Sequence, residues 1–238
     1  MPAAGHVMPV YVLHWHVYVT DTGSRSFSSL VKVKCRSRSS SVGWLDAQAP
    51  RSVVYASVGS VVVLSAEEVA DMAHGLASTD RPFLWVVRPD TRPLIPDGFL
   101  DAVAGRGMVV PWSPQERVLA HPATACFLTH CGWNSTLETV AAGVPVVAFP
   151  QWGDQCTDAK FLVDELGIGV RLRAPLRREA VDAAVAGPGA DATLARARSW
   201  SAVARAAGGS SDRHVQTFVD DVIRRASRRQ AAGLTSSG

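Results

Sequence analysis

Residues 112–155 read WSPQERVLAHPATACFLTHCGWNSTLETVAAGVPVVAFPQWGDQ. Two short apolar runs stand inside the stretch, Ala125–Leu128 and Val144–Phe149, with a helical segment between them. A strand that leads into a helix and on to another strand is a βαβ unit, which is right-handed and builds a parallel sheet. Both runs are apolar almost throughout, so both faces of that sheet are covered. The fold class is therefore α/β.

The same rhythm extends upstream. Ser52–Ser57 (SVVYAS) reads as a strand bounded by Gly59, and a helix follows from Ser65 with Glu67 and Glu68 in its first turn, where the helix dipole favours acids. Phe83–Val87 and the shorter Met108–Val110 are the next strands. Downstream of Pro175 the chain turns helical and rich in Ala and Arg. One helix carries Glu179–Ala186, Gly187-Pro188-Gly189 breaks it, and another runs from Asp191 to Ala206. Ser211 is placed to cap a last helix through Ile223. The expected organisation is an N-terminal remnant over 1–42, poorly ordered and rich in Ser and Arg, a domain over 43–227, and a flexible tail over 228–238.

At 238 residues the chain can bury one good core, and 47% hydrophobic with 19% charged residues is ordinary globular composition. A net charge of +3, much of it from the two ends, is no nucleic-acid footprint. No run approaches the ~20 apolar residues of a membrane span. No basic region precedes the apolar start at Val7, which argues against a secretory signal. The expected compartment is the cytoplasm, with organellar targeting by the Ser- and Arg-rich stretch as the minor alternative. Cys35, Cys126, Cys131 and Cys156 form no CxxC pair and read as buried or free thiols. Cys126, His130 and Cys131 lie close in sequence, but no second cluster completes a zinc tetrahedron, so no metal and no separate cofactor is expected.

The chemistry concentrates where the fourth strand meets the helix. In open α/β sheets the ligand crevice lies outside the carboxyl ends of the strands. The segment Thr129–Thr136 places a helix N-terminus there, whose free N–H groups and partial positive charge suit phosphate. Gly132 admits close backbone approach, and Asn134 and Ser135 add side-chain donors, although simple N-capping would use the same residues. Glu138 stands one turn beyond Asn134, able to accept ribose hydroxyls or merely to complement the dipole. Trp112 follows the third strand and can stack a base or join the core. Asp154 and Gln155 offer the hydrogen bonds that sugar hydroxyls take.

Together these residues resemble the plant secondary-product glycosyltransferase box, the donor-site motif of family 1 UDP-dependent glycosyltransferases. The resemblance extends through VVYASVGS, RPFLWVVRPD, DAKFLVDELGIGVRL and GGSSDRHVQTFV, and covers residues 43–227. It implies a GT-B fold whose C-terminal, Rossmann-like donor domain is the part present, with the N-terminal acceptor domain largely absent. It implies that Trp112 stacks on uracil, the Ser113 backbone reads the base edge, and Gln115 and Glu138 hold the ribose. His130, Asn134, Ser135 and Ser60 would hold the diphosphate, and Trp133, Asp154 and Gln155 would contact the sugar. A terminal Gln in this box accompanies glucose, and the Pro150–Gln155 ending resembles members that make glucose esters of carboxylic acids.

His6, within PAAGHVMP, matches the family's catalytic base, but no acid that fits the role of its Asp partner follows before Trp44. The implied function is inverting transfer of glucose from UDP-glucose to a small-molecule hydroxyl or carboxyl, the acceptor being unspecified. Two alternatives stand beside it: a truncated domain that binds UDP-sugar without transferring it, and a non-catalytic interaction module on the same fold. A base works only when held within reach of its proton, which favours the first alternative over the full reaction. The joint presence of Trp112, Gln115, Glu138, Asp154 and Gln155 argues against the second, since no fold requires them together.

Overall fold

A computed structural model of the chain describes residues 40–172, 177–206, 217, 219–221 and 223–224. Six strands form one parallel sheet: β1 (Val53–Ser57), β2 (Phe83–Val86), β3 (Gly107–Val110), β4 (Thr124–Thr129), β5 (Val146–Ala148) and β6 (Gly169–Arg171). Their order is β3-β2-β1-β4-β5-β6, with every pairing parallel. The expected α/β class and the Rossmann-like architecture are thereby met. The order reverses between β1 and β4, and in such sheets that reversal opens a crevice at the strands' carboxyl ends.

Alternation along the strands sorts the core into two faces. Val54 and Ala56 of β1 pack with Phe83, Trp85, Cys126, Leu128 and Val147 beneath α2 (Ala66–Ser78) and α7 (Arg178–Val185). Val53 and Tyr55 point the other way, with Leu84 and Phe127, towards α1 (Ser40–Leu45) and α4 (Gln115–Leu119). On that second face, Val146 and Ala148 pack against Leu162 and against Ala197 of α8 (Ala190–Ala204). Every residue of β1 and β4 is buried, as their continuous apolar sequence requires. α2 opens with a capping box: the Ser65 Oγ accepts from the Glu68 N–H, and the Glu68 carboxylate accepts from the Ser65 N–H.

Three departures from the sequence reading stand out. Helix α1 begins at Ser40 and buries Ser41, Val42 and Leu45, so the boundary set at residue 42 falls inside an ordered element. The sixth strand was not foreseen; it is three residues long and half exposed, and it carries no apolar run. Beyond α6 (Asp154–Lys160) the helix widens into a π turn over Phe161–Glu165, which no local pattern announced. The three remaining elements are a 3-10 turn at Arg92–Leu94 and the helices α3 (Phe99–Ala102) and α5 (Trp133–Ala142). His6, Cys35, the 1–39 segment, the Ser211 cap and the 228–238 tail lie outside the described residues.

Candidate nucleotide-sugar site

The crevice is built by the loops that leave β1 and β4. After β4 the chain turns sharply at Cys131, whose φ of 61° is left-handed. The Cys131 N–H donates to the Thr129 Oγ1 at 3.1 Å, and its carbonyl accepts from the Thr136 Oγ1 at 3.4 Å, which holds the turn. Cys131 is fully buried, which pushes its thiol up to about 12. The turn delivers Gly132 as the N-cap of α5, with no side chain capping the helix. The amides of Trp133, Asn134 and Ser135 therefore meet no helix carbonyl and lie under the positive end of the dipole. Asn134 is exposed, and Ser135 turns its hydroxyl to Gln115, so neither acts as a plain cap.

Across the crevice Gly59, at φ 74°, leads to the exposed Ser60. The His130 imidazole is clasped between the two loop glycines. A Cβ on Gly59 would stand 2.6 Å from the Cε1 and Nε2 of His130, and one on Gly132 would stand 2.4 Å from the Nε2. No side chain fits at either position. Burial lowers the His130 pKa below 6.5, against the Asp154 carboxylate and the Ser57 backbone, which raise it. Its Nδ1 is buried without a hydrogen bond of good geometry. Burial thus favours the neutral form of the ring, which is packed closely between the two glycines.

A hydrogen-bonded chain lies beside the start of α5. The Gln115 Nε2 donates to the Glu138 Oε2 at 2.5 Å and to the Ser135 Oγ at 3.0 Å. The Gln115 Oε1 accepts from the Tyr55 hydroxyl at 3.2 Å, and the same hydroxyl meets the Ser113 Oγ at 3.0 Å. Glu138 lies in the second turn of α5 rather than the first, so it is no dipole acid; it is fixed sideways by Gln115. Trp112 stands 69% exposed, which removes the core reading for that indole.

At the far end Gly153, with φ 64°, opens α6, and Asp154 is its first residue. Gln155 is buried, yet its Oε1 is already committed: it accepts from the N–H groups of Gln151, at 3.0 Å, and Trp152, at 3.4 Å. The amide oxygen thereby holds the loop that carries the exposed Trp152. Asp158, one turn on, has its carboxyl pKa raised by burial first and by Asp154 second.

Of the residues singled out from sequence, Ser113, Gln115, Ser135 and Glu138 join one network. Ser60, His130, Trp133 and Asn134 gather at the β1/β4 crevice, and Asp154 and Gln155 flank it beyond β5. Tyr55 was missed. The available signal was a hydroxyl-bearing aromatic inside the otherwise apolar strand VVYAS, since a buried phenol needs a partner. In the sequence Gly59 marks only a strand boundary, and the His130 clasp it forms is tertiary. Among the described residues no group of three or more His, Cys, Asp or Glu is placed to hold a metal.

A free helix start, a fixed carboxylate–amide pair and exposed indoles thus meet at the strand ends of a Rossmann-ordered sheet. Comparison with known proteins gives the family. Residues 31–185 match the model of the UDP-glucoronosyl and UDP-glucosyl transferases, and the chain belongs to that family. The cinnamate beta-D-glucosyltransferase of Fragaria ananassa is 48% identical over 82% of this chain and 38% of its own length. Gallate 1-beta-glucosyltransferase 84A23 of Punica granatum is 50% identical over 77% of this chain and 40% of its own. The chain thus spans about two-fifths of the curated relatives it matches. Among solved structures, Os79 of O. sativa in complex with UDP superposes with a TM-score of 0.74 at 38% identity, covering 78% of this chain and 45% of that one. No helix among the described residues is long and apolar enough to cross a membrane.

Proposed function

We propose that residues 43–227 form the donor half of a UDP-glucosyltransferase, binding UDP-glucose for inverting transfer to a small-molecule acceptor. The observation that carries this reading is the Gln115–Glu138–Ser135 network set against an uncapped α5 N-terminus at the point where strand order reverses. The carboxylate and amide suit ribose hydroxyls. The helix start, Ser60, Asn134 and the clasped His130 suit a diphosphate and, during transfer, the charge that builds on the UDP leaving group. In this reading Trp112 stacks on the uracil, and the Ser113 backbone reads its edge. Trp133, Asp154 and the amide nitrogen of Gln155 face the sugar. No metal is assigned a role.

His6 is proposed as the base that takes the acceptor proton. The relatives named for gallate and cinnamate support an aromatic carboxylic acid as the acceptor class, in line with the Pro150–Gln155 ending. Titration calorimetry with UDP on the folded chain tests the donor site: saturable heat is expected, and none at millimolar UDP would sink the reading. Competition by UDP-glucose against UDP-galactose then tests the sugar. Turnover with UDP-glucose and a panel of benzoic and cinnamic acids separates transfer from binding alone.

A further inference from the structure

We infer that Tyr55 is a positioning residue of the ribose subsite, acting through the Gln115 side chain; this rests on the reading of Gln115 and Glu138 as the ribose-binding pair. A primary amide can sit either way round, and the two orientations present opposite chemistry to a ligand. Here contacts at both ends select one, with the nitrogen also donating to the Ser135 Oγ at 3.0 Å. The Glu138 carboxylate only accepts, so it takes the Gln115 nitrogen, at 2.5 Å. The Tyr55 hydroxyl donates to the Gln115 oxygen at 3.2 Å, so it holds the other end.

The tyrosine is well suited to this task. It lies in the middle of β1, almost fully buried, with its ring stacked on Phe127 at 4.8 Å between centroids. Burial raises its pKa to about 12, so the hydroxyl remains a donor across the working range. Ser113, at 3.0 Å, satisfies the phenol oxygen from the other side and keeps it from turning away. With both ends of the amide fixed, Glu138 keeps its second oxygen for a ribose hydroxyl, and Gln115 keeps a lone pair on Oε1. Loss of the phenol hydroxyl leaves the amide held only at its nitrogen, by Glu138 and Ser135, and frees the oxygen end to swing or to pair with the ribose wrongly.

The test compares UDP with 2′,3′-dideoxy-UDP, which keeps base and diphosphate and lacks both ribose hydroxyls. Calorimetry is run on the full chain, wild type and Tyr55→Phe, a substitution that retains the stacked ring. The wild type is expected to prefer UDP. Tyr55→Phe is expected to weaken UDP by roughly threefold to tenfold while leaving dideoxy-UDP unchanged. If both ligands weaken alike, Tyr55 is structural and the inference fails; if the preference for UDP survives intact, it also fails. A wild type that binds both nucleotides equally overturns the ribose-pair reading beneath it, a distinct result. Gln115→Met, at a half-exposed position, gives a second arm that does not depend on the folding of the tyrosine variant. It must lose the UDP preference at least as fully as Tyr55→Phe, and its retention overturns the inference.

Discussion

At the residue scale, exposure separates groups that hold the fold from groups available to a ligand. Trp112 is large, apolar and mostly in solvent, so its removal takes little from the core. Trp112→Ala is expected to weaken UDP roughly tenfold to a hundredfold, the usual worth of one base on one aromatic ring, with the melting temperature unchanged. Calorimetry beside a thermal scan checks both halves. His130 is the opposite case, because burial has lowered its pKa from 6.5. The unfolded chain then binds the proton more readily than the folded one as pH falls below 6.5, so this contribution is complete above that value and is lost towards the lower folded pKa. Urea unfolding at pH 7 and at pH 5 should show a larger loss for wild type than for His130→Asn, in which the ring cannot titrate. The site's residue types were legible in sequence because the box compresses them into 44 consecutive positions, 112–155. Tyr55 and Gly59 were not legible as site residues, since each acts on a partner more than fifty positions away.

At the element scale, legibility followed burial. β1, β2, β4 and β5 carry apolar runs that local pattern detects, and Ser65 with Glu68 announces α2 by its capping chemistry. β6 offers neither signal, because it is an edge strand whose presence depends on β5. Its fit is nevertheless demanding. A Cβ on Gly169 would lie 2.2 Å from the Val146 Cγ2 and 2.3 Å from the Val146 carbonyl oxygen. The backbone of an internal strand cannot easily yield to that contact, and Gly169 is paired directly with Val146 in the ladder. Gly169→Ala is expected to cost about 1–3 kcal/mol, read as a fall in the urea midpoint. An unchanged midpoint would show that β6 is free to move away from β5.

At the scale of the whole molecule, the parallel topology gathers every strand's carboxyl end, and much exposed apolar surface, on one edge. Val61 and Val63 follow β1, Trp112 follows β3, Trp133 follows β4 and Trp152 follows β5, and all five are more than half exposed. Val62 and Leu64 alternate with the two valines and are buried, so the segment is pinned with Val61 and Val63 turned outward rather than collapsing inward. An apolar edge of this kind drives association when nothing covers it. Sedimentation velocity on the purified chain should therefore show concentration-dependent self-association. The Val61→Ser/Val63→Ser double variant should reduce it without loss of stability, because neither side chain contributes to the core. A chain that sediments as a single monomer at high concentration would show that this exposed edge does not drive association.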